Sequence, residues 1–209
     1  MKVGIDIDNV LAATHESVVK RLNLQPFGLN LNIGDWKSYY FWEAFGIPKE
    51  KAEDMFNQII SDGFLMEIPA MPVGRYVLDR YSFERYLITA RAVSQTGITM
   101  EWLLKNQIKY SAKNLFFVGS GSKLEREISS EHLRKAYLAR HLGLHCLIED
   151  CGEIALEVAK LGIPVILFNY PWNERVSHPN IFRVGHWKDK CSYWKETENT
   201  LNLFASKIK

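Results

Sequence analysis

Short apolar runs alternate with stretches of helical periodicity along most of this 209-residue chain, and that rhythm limits the folds open to it. The runs are residues 2–7, 86–89, 115–119, 146–150 and 164–168, with 181–184 as a further short candidate. Between them, apolar residues recur at three- and four-residue spacing, as a helix needs to bury one face. Leu11, Val18, Val19 and Leu22 mark a helix over 11–24. A second is expected over 73–85, and Met100, Leu103, Leu104 and Ile108 mark one over 96–108. Residues 130–141, with Ser130 as candidate N-cap, 153–161, closed by Gly162, and 198–208 complete the set. Strands apolar on both faces, separated by helices, form a parallel sheet covered on both sides. The expected fold is α/β, a doubly wound parallel sheet.

The rhythm breaks once. Residues 25–72 hold Pro26, Gly28, Gly34, Pro48, Gly63, Pro69 and Pro72, with short helical pieces between them. The clearest piece is 48–61, with Pro48 at its start and Ala52, Met55, Phe56, Ile59 and Ile60 on one side. The chain therefore divides into a core, 1–24 and 73–209, and a small, mainly helical cap, 25–72. Within the cap, residues 36–42 read Trp-Lys-Ser-Tyr-Tyr-Phe-Trp. Most of these rings serve as core for the cap. Trp36 and Tyr40 are candidates for stacking a planar ligand such as a nucleobase.

Open parallel sheets bind ligands beyond the C-terminal ends of their strands. The residues expected there are Asp6 and Asp8, then Thr89, Gly119 and Ser120, Glu149 and Asp150, and Asn169. Buried carboxylates are costly unless paired or metal-bound. Three acids without His or Cys make a hard-oxygen site, which fits Mg²⁺ better than zinc.

The balance of 26 basic and 24 acidic residues leaves a net charge of +2, too mild to argue for a nucleic-acid polymer. Three cysteines without a CxxC spacing give neither a disulfide framework nor a zinc knuckle. The start, MKVGIDIDNV, is not a signal peptide, and no run approaches the roughly 20 apolar residues of a membrane helix. The expectation is a cytoplasmic protein without a membrane partner.

These residues, in this order, resemble the haloacid dehalogenase-like (HAD) phosphohydrolases. Asp6-Ile7-Asp8-Asn9-Val10 matches the first motif, DxDx[TV]. Leu87-Ile88-Thr89 matches the second, an apolar strand ending in Thr or Ser. Leu147-Ile148-Glu149-Asp150 matches the fourth, an apolar strand ending in acids. The third motif is a lysine, for which Lys135 and Lys123 compete; Lys135, on the helix leading into the fourth motif, is favoured. The segment 147–173, with Ile-Glu-Asp, Gly-Ile-Pro and Tyr-Pro-Trp-Asn, is most similar to the branch of 5'(3')-deoxyribonucleotidases and their bacterial relatives.

The resemblance implies roles. Asp6 is the nucleophile and forms an aspartyl-phosphate. Asp8 protonates the leaving alcohol and then activates water. Thr89 binds the phosphoryl group through its hydroxyl, helped by the Ala90 amide. The lysine balances charge. Asp150 holds Mg²⁺ with Asp6 and the Asp8 carbonyl, with Glu149 as a competing acid. Apart from the resemblance, Arg91, next to Thr89, is a candidate contact for substrate phosphate, with a surface or helix-start role as the alternative. The implied activity is Mg²⁺-dependent hydrolysis of a small-molecule phosphate ester, foremost a nucleoside monophosphate. A sugar phosphate is the alternative substrate, and a non-catalytic phosphate-ligand binder is the alternative class. One departure stands out: the position after the second aspartate is usually Gly in this branch and is Asn9 here. Asn tolerates a positive φ, and its side chain narrows the pocket or adds a hydrogen bond.

Three histidines and one cysteine remain to be placed. His141 and His145, four apart, are separated by Gly143 and need not share a face. His15 is a minor candidate for the cleft. Cys151, beside Asp150, reads as a small residue near the core.

Overall fold

Val3 and Ile5 are fully buried, which places the first strand at the centre of the molecule. The computed structural model describes residues 1–61 and 63–207. Among the described residues the sheet has six strands, all parallel: β1 (Lys2–Ile5), β2 (Glu84–Thr89), β3 (Leu115–Phe117), β4 (Cys146–Glu149), β5 (Val165–Phe168) and β6 (Ile181–Val184). Their order across the sheet is β3-β2-β1-β4-β5-β6. The chain winds outward from β1 to β3, crosses back, and winds outward again from β4. The expected doubly wound fold is therefore what forms, and the reversal between β1 and β4 opens a crevice at their C-terminal ends. In register, Ile5 lies beside Leu87 on one side and Ile148 on the other.

Side chains alternate between the two faces, as the strand repeat requires. Ile5, Leu87, Ile148, Ile166 and Phe168 enter one apolar cluster, and Ile88, Leu147, Val165 and Leu167 enter the other. Helices α1 (Thr14–Asn23), α4 (Gly74–Arg80), α5 (Thr96–Lys105) and α8 (Lys190–Lys207) cover the first face. Helices α6 (Glu131–His141) and α7 (Gly152–Lys160) cover the second with small and branched residues, Ala136, Ala139, Ile154 and Val158.

Element ends differ from expectation by a few residues, except at the last helix. That helix begins at Lys190, well before residue 198. Tyr193 and Trp194 account for this: both are fully buried, Tyr193 stacked on Phe168 at 4.5 Å and Trp194 edge-on to it at 5.7 Å. Such burial is worth several kcal/mol and carries the polar turn that follows. Ser130 occupies the N-cap of α6 but accepts no capping hydrogen bond from its side chain.

Residues 25–72 contribute α2 (Phe41–Phe45) and α3 (Lys49–Ser61) and no strand of the sheet. The two connections to this insert run side by side. Met71 N donates to Leu11 O at 2.7 Å, Ala13 N donates to Pro69 O at 2.9 Å, and Ala12 bridges Ala70. Trp36, Phe41, Met55 and Ile59 join the same apolar cluster as Trp102 and Leu103 of α5. Trp102 Nε1 also donates to Ile68 O at 2.7 Å. No helix among the described residues is long and apolar enough to cross a membrane.

Candidate active site

The chain turns sharply after β1. Asn9 adopts φ 59°, a left-handed conformation that Asn tolerates better than most residues. Leu11 N and Ala12 N both return to Ile7 O, at 2.9 Å each. This loop holds Asp6 and Asp8 at the crevice between β1 and β4. A cleft of about 230 Å³ lies there, with Asp6, Asp8, Ala90, Arg91, Lys135 and Asp150 in its wall.

Lys135 lies deepest. Its side chain is 1% exposed, and its Nζ stands 2.7 Å from both Asp6 Oδ1 and Glu149 Oε2. Glu149 Oε2 accepts a hydrogen bond from it, and Asp6 Oδ1 is held by the same ammonium as an ion pair. Burial would discharge Lys135, but Asp6 and Glu149 outweigh it and raise its pKa. On Asp6, burial acts first. Glu149 and Asp8 add to it, and together they push the carboxyl up to about 8 against the pull of Lys135. Lys123, the competing lysine, is exposed and lines a separate apolar groove beside Phe117 of β3.

Asp8 stands in a different field. Arg91 grips it with Nε to Oδ2 and Nη2 to Oδ1, each at 2.9 Å, and Thr14 Oγ1 donates to Oδ1 at 2.5 Å. Burial opposes its charge, but Arg91 and Thr14 prevail and hold its carboxyl below the ordinary value. Arg91 is itself buried and also donates to Thr99 Oγ1 at 3.1 Å, so it is no surface residue. Thr89 is fully buried, and its hydroxyl accepts from Arg91 N at 3.2 Å. The backbone of Gly119 presses on this loop: a Cβ there would lie 2.0 Å from Ala90 O.

Glu149 and Asp150 divide their work. Glu149 Oε1 accepts from Asp150 N and Cys151 N at 3.2 Å each, so with Lys135 on Oε2 both its oxygens are engaged. Asp150 Oδ2 accepts from Asn9 Nδ2 at 3.0 Å and Trp172 Nε1 at 3.2 Å. Asn173 Nδ2 donates to Asp150 O at 2.6 Å, closing the Tyr-Pro-Trp-Asn loop over the acid.

Carboxylate oxygens of Asp6, Glu149 and Asp150 lie within 4.8 Å of one another. The donor set is all carboxylate oxygen. This suits a hard divalent cation. A cluster of acids also needs positive charge before it admits a phosphate dianion.

The aromatic stretch divides in three. Trp36 is 1% exposed and packs on His15 at 4.0 Å and Phe41 at 5.3 Å, so it belongs to the core beneath the cleft. Tyr40 is 38% exposed and stacks on Trp42 at 4.6 Å, outside the cleft wall. Tyr39, between them, lines the cleft, as does Glu131 at the start of α6. Neither was singled out by the sequence reading, and the alternation of the aromatic run gives no sign of which ring turns inward. His15 also reaches the cleft wall, stacked on Trp172 at 4.5 Å; burial drives its pKa down to about 3 despite Asp8. His141 stacks on Tyr137, whereas His145 Nδ1 accepts from Lys2 N at 2.9 Å, so the two do not form a pair. Cys151 is buried, as expected.

No family model matches the chain. Whole-length relatives exist. The chain is 30% identical over 207 residues to "Putative nucleotidase YqfW" of Bacillus subtilis, covering 96% of this chain and 97% of the relative. It is 30% identical over 193 residues to "Nucleotidase CA_C3379" of Clostridium acetobutylicum, covering 90% and 91%. A HAD family hydrolase from Deinococcus radiodurans, solved with phosphate and sodium bound, superposes with a TM-score of 0.64 at 11% identity, over 98% of this chain and 96% of its own.

Proposed function

Because the chain belongs to the HAD-like phosphohydrolases, in their nucleotidase-like branch, we propose that it is an Mg²⁺-dependent phosphomonoesterase working through an aspartyl-phosphate. The observation that carries the reading is the buried Asp6 carboxylate, paired with Lys135 in the wall of a polar cleft and clustered with Glu149 and Asp150. Asp6 attacks phosphorus, and the ester oxygen departs. Asp8 gives that oxygen a proton and later takes one from the attacking water. Thr89 and the Ala90 amide hold the phosphoryl oxygens, and Lys135 offsets their charge. Asp6, Asp150 and the Asp8 carbonyl would hold Mg²⁺, which supplies charge neutralisation for phosphoryl transfer. That reaction asks mostly for positioning and positive charge, and this site offers both.

Asp8 cycles between acid and base, so its proton must be controlled. The Arg91 fork and the Thr14 hydroxyl keep it ionised before substrate arrives. An incoming phosphate competes for Arg91 and so frees Asp8 to take up a proton.

Residues 25–72 serve as the cap that selects the substrate, and Tyr39 is the ring they place in the cleft wall. The substrate class is nucleoside monophosphates. This rests on the names of the full-length relatives and on Tyr39, the one ring of the insert in the cleft wall.

The test is phosphate release from p-nitrophenyl phosphate and a panel of nucleoside and sugar monophosphates, with and without Mg²⁺, beside Asp6→Asn. Release that requires Mg²⁺ and vanishes in the variant is expected, with nucleotides ranked first. A preference for sugar phosphates would overturn the substrate class alone. Undiminished release by Asp6→Asn would overturn the mechanism.

A further inference from the structure

Asn9 is one of three non-glycine residues with positive φ among those described, and it alone of them lines the cleft. Its side chain is fully committed. The main-chain N–H of His15 donates to Asn9 Oδ1 at 2.8 Å, which fixes the amide oxygen on that side. The two hydrogens of Nδ2 then face two acceptors, Asp150 Oδ2 at 3.0 Å and His15 Nδ1. The imidazole must accept at Nδ1 and carry its proton on Nε2. It is locked in that role by its stack on Trp172 and its contact with Trp36. The main chain of Asn9 is held too, by Tyr170 Oη, which donates to Asn9 O at 3.0 Å.

Both side-chain donors to the Asp150 carboxylate, Asn9 Nδ2 and Trp172 Nε1, fall on Oδ2. Among the described residues none reaches Oδ1 with a hydrogen bond.

We propose that Asn9 is a positioning residue: backed by His15, it fixes the Asp150 carboxylate and reserves Oδ1 for the divalent cation. The inference rests on the metal-dependent reading above. A carboxylate free to rotate must be ordered when the cation binds, whereas this one is ordered beforehand. A left-handed turn alone does not need the amide, since glycine adopts the same φ at no cost.

The experiment is calorimetric titration of Mg²⁺ into the metal-stripped full chain, for the unsubstituted protein, Asn9→Gly, His15→Phe, the double variant and Asp150→Asn. Asn9→Gly keeps the turn and removes the amide. It is expected to bind Mg²⁺ about 10–100-fold more weakly, the usual span for a lost partner of a metal ligand. His15→Phe keeps a ring between Trp36 and Trp172 and removes the Nδ1 acceptor. It is expected to weaken binding less, and to add nothing in the Asn9→Gly background, because both act through one amide. In turnover, the Asn9→Gly deficit is expected to shrink as Mg²⁺ is raised. Folded Asn9→Gly that binds Mg²⁺ within about twofold of the unsubstituted protein would overturn the inference alone. Equal losses added by His15→Phe in both backgrounds would remove His15 from it. An unsubstituted protein that binds no Mg²⁺ would instead sink the reading on which the inference rests, and the inference with it.

Discussion

Arg91 and Asp8 form a two-pronged ion pair, Nε to Oδ2 and Nη2 to Oδ1, each at 2.9 Å. The pair joins the loop after β1 to the loop after β2, and so ties the proposed acid–base group to the proposed phosphate loop. A lysine cannot make this fork. Arg91→Lys is therefore expected to lower kcat/KM about 10–100-fold, the worth of one charge-assisted hydrogen bond. Asp8→Asn is expected to cost about 10²–10⁴-fold, the usual contribution of acid–base catalysis. Removing the fork also lets burial raise the Asp8 pKa, so the alkaline limb of the kcat/KM–pH profile for Arg91→Lys, set by Asp8 as proton donor, should move to higher pH.

Lys135→Met tests the buried charge cluster. The substitution leaves Asp6 and Glu149 without the cation that lies 2.7 Å from each. Breaking a buried ion pair in this way costs about 3–5 kcal/mol. Urea unfolding in the absence of divalent ions should show a loss of that size. A loss below about 1 kcal/mol would mean that the carboxylates accommodate the change by taking up a proton.

His15 gives a pH signature. Its pKa is lowered by burial from 6.5 to about 3. Between those values the unfolded chain binds a proton that the folded chain does not, so stability rises with pH across the window. The contribution is complete above about pH 6.5 and is lost progressively as pH falls toward about 3. Imidazole NMR shifts should show His15 uncharged through this range. His15→Phe should flatten the acid side of the Tm-against-pH curve.

Gly119→Ala tests the close approach of two loops. The added methyl would meet Ala90 O at 2.0 Å and Arg91 O at 2.6 Å, both main-chain atoms that cannot rotate away. Overpacking of this kind costs about 1–3 kcal/mol. Because the displaced segment follows Thr89, the KM for a phosphate ester should rise as well. A crystal structure of the variant would show residues 89–91 shifted.

The aromatic run gives a three-way comparison. Tyr39→Ala should raise KM for nucleotides more than for p-nitrophenyl phosphate. Tyr40→Ala should change neither by more than about twofold. Trp36→Ala should lower stability by about 3–5 kcal/mol, as expected for a large buried ring.

Much of this was legible in the sequence because parallel strands buried on both faces must be continuous apolar runs, and the residues that end them must sit at one rim. Asp6, Asp8 and Asp150 are legible in this way and Lys135 through the resemblance, and all four line the cleft, whereas Thr89 is fully buried. What was not legible depends on packing between distant segments. Arg91 looked like a surface residue because nothing nearby shows that Thr99 and Asp8 close around it. Residues 36–42 put Tyr39 in the cleft wall rather than Trp36 or Tyr40, and which ring turns inward is set by how the insert seats on His15 and α5. The early start of α8 was within reach: Tyr193, Trp194, Thr197, Leu201 and Phe204 are buried at helical spacing, but the polar residues among them mask the stripe.

Lys135 belongs to α6, while its two acidic partners stand at the ends of β1 and β4, the strands on either side of the reversal in winding. A nascent chain that has emerged only through β2 carries Asp6 without the lysine that pairs with it. The charge-balanced centre closes only after α6 has crossed the sheet and β4 has docked beside β1, a late, non-local event in forming the fold. The charged centre is thus shared by three segments far apart in the sequence, and the Lys135 ion pairs exist only when all three are packed together.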